Sequence, residues 1–90
     1  MKRLSEVGIG PAHGYLHIYS APRAVAKNIE WGVAEVLGYP VSMNWQSQRL
    51  VPGSVTAEFS WSALVGSGAK LASTLRGWHY LTFEVYESAG

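Results

Sequence analysis

The sequence predicts an α+β fold in which a four-stranded antiparallel sheet carries two helices on one face. Turn and capping residues divide the chain into elements in the order strand, helix, strand, strand, helix, strand. Each predicted strand alternates apolar and polar residues, as expected when an antiparallel sheet is covered on one side only. This order is the ferredoxin-like βαββαβ pattern, whose two right-handed crossovers give the strand order 4-1-3-2.

The chain is expected to begin with an arm and then to form one domain. Residues 1–13 are predicted to be a flexible N-terminal arm, because glycine and proline punctuate them without a regular period. Residues 14–88 are predicted to form the single domain. Its first strand is expected from Tyr15 to Tyr19, where apolar side chains alternate with aromatic and imidazole ones.

The first helix is expected to follow this strand directly, from Ser20-Ala21-Pro22-Arg23 to Leu37. Ser20 can accept a hydrogen bond from a free backbone N–H, and Pro22 suits a first turn, where its missing N–H costs nothing. Gly38 is a favourable residue for the end of this helix, because it readily adopts a positive φ.

The middle of the chain is expected to form a β-hairpin. Residues 41–46 and residues 54–61 both alternate as strands, and the turn sequence Val51-Pro52-Gly53-Ser54 lies between them. A second helix is then expected from Gly66 to Gly77, and residues 81–86 alternate as the last strand.

Charged residues are scarce in this chain. Only 14% of the 90 residues are charged, against about 25% in typical soluble domains, while 48% are hydrophobic. Disordered chains are charged and poor in aromatic residues, so this composition indicates a folded domain. It also leaves more apolar surface than a small domain readily solvates. We therefore expect a homo-oligomer, most simply a dimer, or a protein partner that covers this surface.

The composition argues against several other classes of function. The net charge of +1 is too small for the basic surface that binds nucleic acid. Without cysteine there is no disulfide framework, thiol nucleophile or thiolate metal site. The N-terminus lacks the apolar run of a signal peptide, and no stretch approaches the ~18 consecutive apolar residues that span a membrane. A cytoplasmic protein without a cofactor is expected.

The candidate site lies on the sheet face that the predicted helices leave open. Its side chains include the six that we predict as an interface: Tyr15, His17, Tyr19, Glu58, Glu84 and Tyr86. Tyrosine has a rigid apolar ring and a polar tip, which suits interfaces. The alternative is a solvated sheet face whose aromatic residues only satisfy strand propensity.

The histidines raise the question of catalysis or metal binding. His17 beside Glu58 or Glu84 has the elements of a general base with an orienting carboxylate. Such a pair is more often an ordinary cross-strand contact, so no catalytic residue is predicted. His13, His17 and His79 have no spacing that brings them together, and no metal site is predicted.

A second candidate site lies at the predicted helix starts. Gly66, Ser67, Gly68 and Lys70 combine a glycine-rich turn, a helix N-terminus and a cation, an arrangement that suits a phosphate or carboxylate group. Arg23 is the comparable cation at the first helix. The alternative is that glycine and serine simply begin a helix there, since neither a Walker loop nor a dinucleotide fingerprint is present.

Several runs of the sequence are distinctive when they are taken together. They are Tyr15-Leu16-His17-Ile18-Tyr19-Ser20-Ala21-Pro22-Arg23-Ala24, Glu30-Trp31-Gly32-Val33, Asn44-Trp45, Pro52-Gly53, Glu58-Phe59-Ser60-Trp61, the stretch from Gly66 to Trp78, and Phe83-Glu84-Val85. Over about residues 14–87, this combination resembles the actinobacterial domain-of-unknown-function 3145 family. The resemblance implies no established activity. The family's genes often lie near fatty-acid synthesis genes, which implies an accessory role there. Family members usually continue beyond the position of Glu87, which implies a short member or an N-terminal domain.

The sequence therefore predicts a non-enzymatic binding or assembly module that self-associates through the open sheet face or an edge strand. The alternative is a domain that binds an anionic group, such as a phosphate, coenzyme A or an acyl-carrier phosphopantetheine, at its helix N-termini. The solution mass would distinguish the first hypothesis, and stabilisation by such anions the second.

Overall fold

The computed structural model describes residues 11–78 and 80–89. Its elements are β1 (Pro11–Pro22), a 3₁₀ turn (Arg23–Val25), α1 (Ala26–Leu37), β2 (Gln46–Ser47), β3 (Ser54–Leu64), α2 (Ser67–Leu75) and β4 (Thr82–Ala89). All strand pairs are antiparallel, in the order β2-β3-β1-β4. This is the predicted order counted from the opposite edge, and the α+β fold is confirmed.

The core lies between the two helices and one face of the sheet. Alternate side chains of β1 and β3, among them Leu16, Ile18 and Val55, are fully buried there. They meet Ile29 and Val33 of α1, while α2 packs against both α1 and β4. The period of two along the strands and of about 3.6 along the helices thus brings both apolar faces into one core. Neither helix in the described part of the chain has the length and apolarity to cross a bilayer.

Strand β1 is longer than predicted and contains a β-bulge. The described chain already pairs at Pro11, so residues 11–13 of the expected arm belong to the strand, and residues 1–10 lie outside the described residues. Between Ile18 and Ser20, β1 advances two residues while β4 advances one, which makes Tyr19 the extra residue. A bulge of this kind redirects side chains. It keeps Tyr19 exposed and brings Ala21 into the core.

The prediction of a second strand over residues 41–46 is mostly wrong. Only Gln46 and Ser47 pair with β3, and residues 41–45 do not. The buried Glu30 carboxylate of α1 accepts hydrogen bonds from the Met43 backbone N–H at 2.8 Å and the Trp45 indole N–H at 2.9 Å. These bonds tie the segment to α1. The alternate apolar side chains of this segment still pack on the core, although its backbone does not pair with β3.

A glycine with a positive φ ends α1, as the sequence predicts, and another precedes α2, which ends at Leu75, two residues before the expected Gly77. Gly38 has a φ of +86° and donates its N–H to the Ala34 carbonyl, which ends α1. Gly66 has a φ of +99° and precedes α2. Both are backbone conformations that other residues rarely adopt, and they account for glycine at these positions.

Candidate functional site

The open face is the side of the sheet opposite the helices, and we use that name for the outward side chains of β1, β3 and β4. All six residues predicted as an interface lie on it, at neighbouring positions of three paired strands. His17 is opposite Glu58 on one side and Glu84 on the other, and Tyr15 is opposite Tyr86. Strand pairing thus gathers residues that are up to 71 positions apart in the chain, Tyr15 and Tyr86.

Two pairs of rings organise this face. The rings of Tyr15 and Tyr86 are 5.8 Å apart between centroids and tilted by 30°. His17 and Tyr19 stack at 3.9 Å. Side chains two positions apart share one face of a strand, which accounts for the second pair. Offset aromatic contacts of this kind hold side chains in place without an outside partner.

The polar contacts tie the same residues together. The Tyr19 hydroxyl donates a hydrogen bond of 2.6 Å to Oε1 of Glu84. This bond, with a smaller contribution from desolvation, raises the pKa of Tyr19 above its usual value. Nδ1 of His17 lies 3.7 Å from Oε2 of Glu58, close enough for an ion pair when the imidazole is protonated. The described strand residues of the open face include no lysine or arginine.

The open face exposes its tyrosines strongly. Tyr15, Tyr19 and Tyr86 are 42%, 40% and 54% exposed. Two open depressions of about 510 Å³ each adjoin His17 and Glu58. One of them extends to Asn44 and Gln46, along the gap left where the chain before β2 separates from β3. The surface is therefore shallow and mixed in character, with aromatic rings beside amide, imidazole and carboxylate groups.

This arrangement is poorly suited to general base catalysis. The side chain of Glu58 is 75% exposed, and its 3.7 Å separation from Nδ1 is longer than a hydrogen bond that would orient the imidazole. The Glu84 carboxylate is already bonded to Tyr19. Within the described part of the chain, no three carboxylate or imidazole groups gather as metal ligands would.

The residues predicted to bind an anion do not come together as one site. The backbone N–H groups of Gly66 and Gly68 donate to the two carboxylate oxygens of Glu87, at 2.9 and 2.8 Å. Ser67 is buried and Lys70 is exposed. Arg23 is at the start of the other helical segment, where its guanidinium donates to Oγ of Ser47 at 3.1 Å.

The sequence analysis does not identify two carboxylates that form structural hydrogen bonds, those of Glu87 and Glu30. Glu87 lies two residues after Val85, which points inward in the last strand. Because side chains alternate along a strand, this spacing predicts that the Glu87 carboxylate lies on the helix side. Glu30 gave no such signal, because its partners Met43 and Trp45 lie beyond the end of the helix. Both groups serve the fold, one at the start of α2 and one at the end of the segment before β2.

The family model described as a protein of unknown function (DUF3145) matches residues 15–90 of the chain. The match includes all six residues of the predicted interface. No curated protein and no solved structure matches the chain.

Proposed function

The chain belongs to the DUF3145 family of proteins of unknown function, and we propose that it is a non-enzymatic assembly module that self-associates through the open face. One observation carries the proposal: three exposed tyrosines occupy a sheet face whose described strand residues include no lysine or arginine. Interfaces between protein chains are enriched in tyrosine and depleted in lysine. The occupant we propose is a second copy of the same face.

The Tyr15 and Tyr86 pair is the proposed centre of this interface. Both rings are roughly half exposed although each already packs against the other. Covering them removes aromatic area from water, while their hydroxyl groups remain able to find polar partners. A twofold arrangement places this pair against the same pair of a second copy, as an isologous contact requires.

The two carboxylates of the open face are compatible with such a contact. Glu84 accepts the Tyr19 hydroxyl, so its charge is partly satisfied within the chain. Glu58 is mostly exposed on β3, to one side of the tyrosine pair, and has His17 beside it. A solvated position at the rim of the interface costs little, whereas an unpaired carboxylate at the centre would cost much more.

The test compares two glutamate substitutions by size-exclusion chromatography with light scattering. Tyr15→Glu adds a carboxylate at the proposed centre and is expected to weaken association by about 2 kcal/mol, roughly 30-fold. Trp31→Glu is the control, because Trp31 is a 66% exposed aromatic residue on the helical side. The proposal is overturned if the two variants have the same mass as wild type at all concentrations, or if only Trp31→Glu dissociates.

Three further hypotheses from the sequence, on anion binding, fatty-acid metabolism and cellular location, remain predictions. The anion site at the helix N-termini is not proposed further, because the Gly66 and Gly68 N–H groups donate to Glu87. An accessory role in fatty-acid metabolism and a cytoplasmic location rest on the family resemblance and on composition.

A further inference from the structure

The two edges of the sheet differ in how they are covered. On the β3 edge, β2 pairs with Val55 and Thr56, and further along the Ser62 N–H donates to the Tyr39 hydroxyl. At the opposite edge, β4 pairs with β1 on its inner side only. Among the described residues, no further strand pairs with the outer side of β4.

The direction of the β3 backbone groups can be read from its outer contacts. The Ser54 carbonyl accepts the Gln48 N–H and the Ser62 N–H reaches Tyr39, so both residues point away from β1. Backbone groups alternate in direction along a strand, which means that Ser60 also points away. Tyr15 is opposite Ser60, so its own backbone groups point to β4.

The same alternation identifies the groups on the free edge of β4. Tyr15 is opposite Tyr86, and these residues therefore exchange backbone hydrogen bonds. Glu84 points to β1 for the same reason. The N–H and C=O groups of Phe83, Val85 and Glu87 consequently point outward, away from the sheet.

This edge lacks proline, lysine and a β-bulge, three of the features by which proteins prevent strand pairing. Strand β4, with the sequence TFEVYESA, contains no proline, lysine or arginine. Its register with β1 is regular from Phe83 to Ala89. Phe83 and Val85 pack on the core but remain partly exposed beside the edge. A long, regular edge of this kind is a template for another strand.

We propose that β4 pairs antiparallel with β4 of a second copy, about a twofold axis at Val85. Phe83 then lies opposite Glu87 of the second copy, and Glu84 opposite Tyr86 of the second copy. The three outward residues each exchange both backbone hydrogen bonds across the axis. An axis at Glu84 would place two carboxylates opposite each other, whereas the axis at Val85 keeps the two Glu84 residues apart.

This interface is separate from the one proposed on the open face. A twofold axis at a shared sheet edge runs perpendicular to the sheet, so both open faces remain uncovered and lie side by side. The face-to-face contact has its axis parallel to the sheet. The two closed contacts are therefore compatible in one tetramer with D2 symmetry.

Amide hydrogen exchange of wild type at low and high protein concentration tests the proposal. The amides of Phe83, Val85 and Glu87 are expected to slow at least ~10-fold at high concentration, as amides do when they enter a ladder. Those of Glu84 and Tyr86 already bond to β1 and are expected not to change. Slower exchange at the amides of Phe83, Val85 and Glu87 at high concentration supports the edge pairing and does not test the open face. Exchange at these amides that is independent of concentration overturns the edge pairing.

Val85→Pro provides the matched variant. Proline removes the outward N–H at the axis without removing a hydrogen bond to β1, whereas Val85→Thr keeps that N–H and the branched shape. Val85→Pro is expected to halve the assembly mass and Val85→Thr to leave it unchanged. An unchanged mass for folded Val85→Pro overturns the proposal. If Val85→Pro does not fold, the hydrogen-exchange measurement decides. Failure of the open-face proposal is distinguishable, because Tyr15→Glu would then leave the assembly mass unchanged.

Discussion

At the scale of single residues, the buried Glu30 carboxylate has the largest structural consequence. It holds the Met43 N–H and the Trp45 indole N–H, and Nζ of Lys27 lies 3.6 Å from its other oxygen. Removing the carboxylate with Glu30→Ala leaves the buried Met43 N–H and the partly buried Trp45 indole N–H unpaired. We expect the free energy of unfolding to fall by about 2 kcal/mol in urea denaturation. Glu35→Ala, at an exposed position of the same helix, is the control and should change stability little.

The same carboxylate predicts a dependence of stability on pH. Burial alone would raise the pKa of Glu30, but the hydrogen bonds from Met43 and Trp45, together with Lys27, hold it below its usual value of 4.5. Its stabilisation is therefore present above pH 4.5 and is lost as the pH falls through the lower folded-state pKa. Urea denaturation of wild type and Glu30→Gln should converge in this acidic range. A difference that stays constant as the pH falls below 4.5 would contradict this assignment.

Glu30 also marks the limit of sequence reasoning at this scale. A glutamate in an amphipathic helix ordinarily lies on the solvent side. The burial of Glu30 depends on a segment that returns 13 residues later, a contact that no local pattern encodes. The open-face residues were predictable by contrast, since the period of two along a strand fixes which side chains share a face.

At the scale of elements, the start of α2 depends on a carboxylate from β4. Glu87→Ala frees the N–H groups of Gly66 and Gly68 and should lower the unfolding free energy by about 1–3 kcal/mol. Sulfate should then raise the melting temperature of the variant more than that of wild type, because an anion can take the place of the carboxylate. Ser88→Ala, on the outward side of the same strand, is the control. An equal response of all three proteins to sulfate would show that Glu87 does not occupy this position.

Most elements were predictable because their signals are local. Gly38 ends α1 where expected, and the alternation of β3 and β4 gave their positions to within a few residues. Strand β2 failed because pairing competes with the attachment of Met43 and Trp45 to α1. The bulge at Tyr19 was also missed, since it is defined by the register of two other strands and not by β1 alone.

At the scale of the whole molecule, the strand order followed from connection rules alone. Right-handed crossovers leave few arrangements for this order of elements, and the observed sheet is the one predicted. Topology then determines which surface has no cover of its own. The low charge of the chain predicts that some surface is covered, and we propose that the open face and the β4 edge are these surfaces.

Hydroxyl-radical footprinting of wild type over a range of protein concentrations tests the central claim most directly, because it reports both association and the surface that is buried. Self-association through the open face predicts that oxidation of Tyr15 and Tyr86 decreases as concentration rises, while that of the exposed Trp31 and Leu50 stays constant. Oxidation of both tyrosines that is independent of concentration, or protection confined to Trp31 and Leu50, would contradict the claim.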